Sequence, residues 1–325
     1  MLKLRGAFSQ NPRLAPLLDG TVKPDGIEIE WELGPPGPMF HRHLKDNEFD
    51  VFEFSLSDYM IVQDRPHLRE RGWTALPIFL SRAFLALNSY VNVHSGVESF
   101  ADLKGKSFGL PDFTMTAGLW MRAMITELYG VHARDVAWYN GRPYGKSHGL
   151  LMGLDKDPPG VSLTWLERGE QVNELLHSGE IAAAYGDSLD VPITEGPNIA
   201  KLFDDGGRGF VEEFCRKTGF TPVNHTVVVQ QRVVEQEPWA ATALFDAFER
   251  AKQEAYRRNP ERAYLLFPGI DREQQAATFG PDPYPSGLAP NRAMLKMAAQ
   301  QSLEEGLTHH PTDVDGLFWE SVRAT

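Results

Sequence analysis

Two spacings of apolar residues run through the first third of the chain. Leu2–Phe8 reads as a short strand. Ile27–Leu33 alternates apolar and acidic residues with period two, the signature of a half-exposed strand. Gly34, Pro35, Pro36, Gly37 and Pro38 break it. A short helix is expected over Met39–Lys45, a strand over Phe49–Ser55 and a helix over Leu56–Gln63; Leu76–Leu80 and Ala83–Val93 read as strands. In the middle, Ser107–Leu110 is a strand, and a loop from Pro111 to Thr114 enters a helix over Met115–Tyr129. Met115, Leu119, Trp120, Ala123, Met124 and Leu128 recur at helical spacing, and Gly130 is the stop. Strands follow at Val136–Tyr139, Ile181–Tyr185 and Thr226–Gln230, with a short helix at Gln171–His177. Pro238 opens a helix to about Arg257, and Asn291 is expected to cap the last one, which ends near Gly306.

Alternating βα units predict an α/β protein with open, mostly parallel sheets and helices on both faces. Ligands in such sheets bind outside the carboxyl ends of the strands. The 325 residues suggest about two domains at roughly 150 residues each. No linker tract separates them, so two lobes that share chain segments are expected.

Composition narrows the function classes. A hydrophobic fraction of 42% with 23% charged residues fits a packed globular chain rather than a disordered one. Lys and Arg number 32 against 44 Asp and Glu, a net charge of −12, so neither nucleic acid nor an anionic membrane is an expected partner. The lone Cys215 excludes an intramolecular disulfide and a multi-cysteine metal cluster, and reads as a small helix residue. The start, Met1 to Phe8, runs directly into polar Ser9, Gln10 and Asn11, which is not a secretory pattern, and no 18-residue apolar run occurs. A cytoplasmic location is expected.

Several motifs fail on spacing. Gly141 to Ser147 has one residue too few for G-x-x-x-x-G-K-S/T, and Gly105-Lys106-Ser107 has Phe100 where the first Gly belongs. Gly186-Asp187-Ser188-Leu189-Asp190 lacks the last Gly of a nucleophile elbow. His41, His43, His309 and His310 could touch a metal or simply be solvated. Asp112 to Gly118 joins a strand end to a helix N-terminus, where free N–H groups, Thr114 and Thr116 suit an anion; a plain helix cap is the other reading. Arg82, between two apolar runs, suits a carboxylate or a strand surface. His225 opens a strand and is a candidate general acid or base, with a structural role as the alternative; His148 and Asp187 stand at similar loop ends.

A series of segments resembles a known family. Asp102 to Lys106, the strand, the Thr-containing loop and the helix ending in Tyr129-Gly130-Val131 resemble the second lobe of type 2 periplasmic-binding-protein folds. Asp50–Tyr59, Pro77–Phe84, Thr116–Arg122, Val136–Gly141, Asn224–Val229, Glu237–Trp239 and Pro290–Arg292 together resemble the 4,5-dihydroxyphthalate decarboxylase family, in order and over most of the chain. Two departures stand out. Leu85 and Ala86 follow Phe84 where the family commonly has Arg and His, and Pro285–Arg292 lacks the family's Glu.

The resemblance implies two α/β lobes joined by two hinge strands, one from residues 1–90 plus 226–325 and the other from 91–225. A cleft would be lined by Phe8–Arg13, Ser55–Ser57, Arg82, Phe113–Thr116, Tyr144–His148, Tyr185–Ser188 and His225. It further implies a decarboxylase of a hydroxylated, phthalate-like aromatic acid. His225 or His148 would donate the proton and Asp187 would orient it, while Arg82, Thr114, Thr116, Ser55, Asn291 and Arg292 bind the substrate. No cofactor is expected, and a divalent metal is left open. The expected partner is a small aromatic carboxylate, with assembly into a homo-oligomer left open. A solute-binding protein without catalysis, or another enzyme on the same fold, are the competing readings.

Overall fold

The computed structural model describes residues 1–325 except Ala83, Pro143, Ser188, Asp190, Pro268, Gly269 and the side chain of Tyr144. The chain forms two compact units. The first holds Met1–Arg82, Gly219–Lys296 and Thr312–Thr325; the second holds Ala83–Thr218 and Met297–Pro311. The boundaries expected near 90 and 225 thus fall earlier. Residues 89–92 pair inside the second unit's sheet, while Asn224 donates its N–H to Ser81 in the first. Met297–Pro311 joins the second unit because Glu305 pairs with Arg122 there.

The first unit is built on strands β1 (Leu2–Phe8), β2 (Ile27–Leu33), β3 (Val51–Ser55), β4 (Trp73–Ser81) and β11 (His225–Gln230), in the order β2-β1-β3-β11-β4. The β1–β2 and β1–β3 pairs are parallel, while β11 runs antiparallel to both neighbours. The alternating Glu residues of β2 suit its place at the sheet edge, where charge discourages further pairing. β3 is buried at every position, as an interior strand covered on both faces must be. The helix Trp239–Arg258 lays Ala240, Ala241, Leu244, Ala247, Phe248 and Ala251 on Leu4, Phe8, Val51, Ile78 and Val227. Each large side chain buried this way contributes about 1.5–3 kcal/mol.

The second unit is built on β5 (Ser89–Asn92), β6 (Ser107–Leu110), β7 (Ala137–Asn140), β8 (Leu163–Trp165), β9 (Ala183–Tyr185) and β10 (Ile199–Lys201), in the order β10-β5-β9-β6-β7-β8. Its β6–β7, β7–β8 and β6–β9 pairs are parallel, and β5 is antiparallel to β9 and β10. The helix Thr116–Tyr129 follows β6 as its spacing predicts, with Gly130 in the left-handed conformation at its end. The long strand expected over Ala83–Val93 is shortened to Ser89–Asn92, because a 3-10 turn at Leu85–Asn88 bends the chain first; Ala83 lies outside the described residues. Cys215 is buried in the helix Arg208–Thr218. No described helix is long and apolar enough to cross a membrane.

Candidate active site

In the first unit, the ends of β1, β3 and β4 and the start of β11 meet at one edge of the sheet. His225, the first residue of β11, lies opposite Ser55 at the end of β3 and Ser81 at the end of β4. The β11–β4 register shifts on either side of Thr226, a bulge of the kind that re-aims side chains at strand ends. This is the carboxyl edge of the parallel strands, where this class of sheet binds its ligands.

The His225 ring is held on two sides. Its Nδ1 lies 2.6 Å from Oε1 of Glu53 on β3. The Phe40 ring stands edge-on to it at 4.9 Å. Glu53 is fully buried. Its other oxygen, Oε2, accepts from the Ser9 N–H at 2.8 Å and the Ser9 hydroxyl at 2.5 Å, just beyond the end of β1. Burial pushes the Glu53 carboxyl up, but the bond and charge of His225 and the two Ser9 donors outweigh it and hold the carboxyl below the usual glutamate range.

Arg82 follows Ser81 and donates through Nη1 to the carbonyls of Thr221 and Pro222, so it anchors the segment that leads into His225. The Tyr284 ring lies 5.5 Å from its guanidinium and 3.6 Å from that of Arg13. Arg13 is buried and donates to the carbonyls of Ala263 and Leu80.

The second unit gathers a different cluster around buried Asp112. Its carboxylate accepts from the Ser147 hydroxyl at 2.9 Å, the His148 N–H at 2.7 Å and the Thr114 hydroxyl at 3.3 Å, and Arg142 lies 3.5 Å away. Asn140 accepts from the Phe113 N–H at 2.6 Å. Arg122 forms a two-point ion pair with Glu305, both contacts 2.7 Å, and also donates to the Phe113 carbonyl.

These contacts revise several expected roles. The carboxylate in contact with His225 is Glu53. Asp187 is exposed and instead accepts from Asn88 and the Tyr185 hydroxyl. Ser188, next to it in the elbow-like segment, lies outside the described residues. Ser55 caps the helix Leu56–Asp64, accepting from the Asp58 N–H. Thr114 and Thr116 are buried, and the Thr114 hydroxyl is given to Asp112. Asn291 does not cap by accepting; its amide donates to the carbonyls of Pro285 and Gly287 and closes that loop. Arg292 is a surface residue paired with Asp315. His148 is buried, with its backbone N–H on Asp112. His43 is enclosed by the rings of Phe40, Phe49, Phe52 and Phe54, and His309 pairs with Asp157 at 2.7 Å. Among the described residues, no three His, Cys, Asp or Glu side chains are grouped as a metal site requires.

Comparison with known proteins adds a second line. The chain is 32% identical over 322 residues to a 4,5-dihydroxyphthalate decarboxylase of Comamonas testosteroni, covering 98% of this chain and 96% of that one. It is 33% identical over 205 residues to a 4,5-dihydroxyphthalate decarboxylase of Pseudomonas putida, covering 63% of this chain and 78% of that one. No protein-family model matches it. Among solved structures, the periplasmic aliphatic sulphonate binding protein SsuA of Escherichia coli aligns over 100% of both chains with a TM-score of 0.54 and 14% identity. The desulfurization enzyme DSZB aligns over 100% of this chain and 98% of its own, with a TM-score of 0.52 and 15% identity. At such identities these structures speak for the fold alone, that of type 2 periplasmic-binding proteins.

Proposed function

The chain belongs to the 4,5-dihydroxyphthalate decarboxylase family, and on that premise we propose a cytoplasmic, cofactor-free lyase in which His225 delivers the proton that replaces a carboxylate on a hydroxylated aromatic ring. The observation that carries the reading is a similarity that runs through almost the whole chain.

The chemistry asks for little. In 4,5-dihydroxyphthalate each carboxyl-bearing carbon has a hydroxyl para to it. A proton added to that carbon leaves a cationic ring that the para oxygen stabilises. The bond to the carboxylate then breaks, its electron pair restores the aromatic ring, and CO2 leaves. One proton enters and one CO2 departs, with no change of oxidation state to be balanced from outside. The protein must therefore supply a proton donor at the ring carbon and a positive charge for the carboxylates.

His225 stands at the sheet edge where such a substrate would lie, with its Nδ1 side on Glu53 and its other nitrogen directed away from that carboxylate. Histidine is the side chain best suited to exchange a proton near neutral pH. Arg82 is one residue past Ser81, the β4 partner of His225, and we assign it to a substrate carboxylate as well as to the loop carbonyls.

The test is CO2 release from 4,5-dihydroxyphthalate and from benzoates lacking one carboxyl or one hydroxyl. Native protein is expected to turn over the dihydroxylated dicarboxylate. His225→Asn, with folding checked, is expected to lose about 10²–10⁴-fold in kcat. Arg82→Met is expected to raise KM at least about tenfold, the scale of one lost charged hydrogen bond. Binding of the substrate with no CO2 released by native protein would sink the catalytic reading and leave a binding protein.

A further inference from the structure

We propose that Glu53 is the positioning residue of His225. It holds the ring as the Nδ1–H tautomer, so that Nε2 is the atom that gives up the proton, and Ser9 holds Glu53 in turn. The proposal rests on the reading of His225 as proton donor and adds what that reading leaves open: which ring nitrogen acts, and what fixes it.

The geometry of the carboxylate carries the argument. Its two oxygens have separate tasks, Oε1 on His225 and Oε2 on both donors of Ser9. With both ends tied, the carboxylate cannot turn about its terminal bond. An ionised carboxylate only accepts hydrogen bonds, so the nitrogen facing it must carry a proton whether the ring is neutral or charged. The exchangeable proton is thereby confined to Nε2. When the ring is charged, the negative carboxylate 2.6 Å from Nδ1 stabilises it through a charge-assisted bond. Phe40, edge-on at 4.9 Å, resists rotation of the ring out of this plane.

The location of Glu53 favours a working role. It stands in an interior strand between Phe52 and Phe54, and Val227 is its partner across the β3–β11 ladder. A buried charged pair at such a place often stabilises no more than well-packed apolar residues would. Packing alone therefore gives no reason for an acid here, whereas orienting a histidine does. Ser9 follows the last residue of β1 and reaches Glu53 from a neighbouring strand, so the carboxylate on the imidazole is itself held from a second segment.

The experiment compares native protein with Glu53→Gln, Glu53→Asp and Ser9→Ala. Two readouts are used: steady-state kinetics on 4,5-dihydroxyphthalate and ¹⁵N NMR of the histidine ring nitrogens. Native protein is expected to show a neutral His225 protonated at Nδ1. Glu53→Gln is expected to lose that preference, because a Gln amide can also donate. Its kcat is expected to fall about 10²–10⁴-fold, the scale known for a histidine left in the wrong tautomer, with KM within about threefold of native. Glu53→Asp should recover part of the loss, and Ser9→Ala should cost about tenfold in kcat, roughly one hydrogen bond.

A neutral ring protonated at Nε2 in native protein would overturn the proposal, as would a Glu53→Gln protein with kcat within threefold of native. If Glu53→Gln does not fold, the native tautomer and Glu53→Asp decide. The tautomer needs no substrate. A native protein that releases no CO2 therefore defeats the functional reading alone, while the ring nitrogens still report on Glu53.

Discussion

Arg122 and Glu305 meet with their side chains almost wholly out of water, joined by two contacts of 2.7 Å. Removing one partner leaves the other charged and buried, which usually costs about 3–5 kcal/mol. Arg122→Met is therefore expected to lower stability by that amount in urea unfolding, and Arg122→Met combined with Glu305→Leu to recover much of it. Equal stability of the single and double variants would show that the orphaned charge is not the cause. At this scale the sequence was only half legible. His225 was readable as a strand-end histidine. Loop position points to Asp187 as its carboxylate, but the partner lies 172 positions away at Glu53. The clue was present: Glu53 is an acid inside the run Val51 to Phe54, which is apolar otherwise. A charge on a strand covered on both faces needs a partner, but a sequence does not say which strand lies alongside.

At the scale of elements, strands long enough to show a period were legible, and so was the helix after β6. The three-residue strands β8 and β10 were not: the equally short β9 lies in the apolar run Ile181–Tyr185, whereas Leu163–Trp165 and Ile199–Lys201 each mix in a polar residue. The turn at Leu85–Asn88 was missed because its apolar residues look like those of a strand. Contacts between elements also set limits that composition hides. Gly109 on β6 lies so close to the helix Val172–Ser178 that an added Cβ would come within 2.6 Å of Val172 Cγ1 and 2.9 Å of Ile181 Cδ1. Gly109→Ala should thus destabilise by about 1–3 kcal/mol, as overpacked cores do. Denaturant midpoints for Gly109→Ala and for Gly109→Ala with Val172→Ala test this; relief in the pair is the expected result, and no loss in the single variant would refute the close approach.

At the scale of the molecule, the net charge of −12 means that an anionic ligand must be drawn by local positive groups against the general field. The acids also set the pH range of stability. Glu53 and Asp282 are both held below their usual values: burial pushes each up, but His225 and Ser9 for the first, and Lys252, Tyr284 and Tyr256 for the second, prevail. A carboxyl whose folded value is depressed adds stability that is complete above its unfolded value, near 4, and is lost as the pH falls toward the folded value. Unfolding free energy is expected to be flat with respect to these two groups between pH 7 and about 5 and to fall below about pH 4. Glu53→Gln should make that acid slope shallower; an unchanged slope would remove Glu53 from the account.

The place of β11 between β3 and β4 has a consequence for how the protein is made. At roughly 5–20 residues per second, a ribosome needs on the order of 10–30 s to go from Glu53 to His225. During that time β3 and β4 each present an open edge toward the slot that β11 will fill, and Glu53 waits without its histidine. Such edges invite pairing with other nascent chains. A chain halted before residue 225 is therefore a candidate for aggregation and for chaperone retention, and the same late strand that completes the sheet also brings in the histidine, so the sheet and the Glu53–His225 pair are completed together.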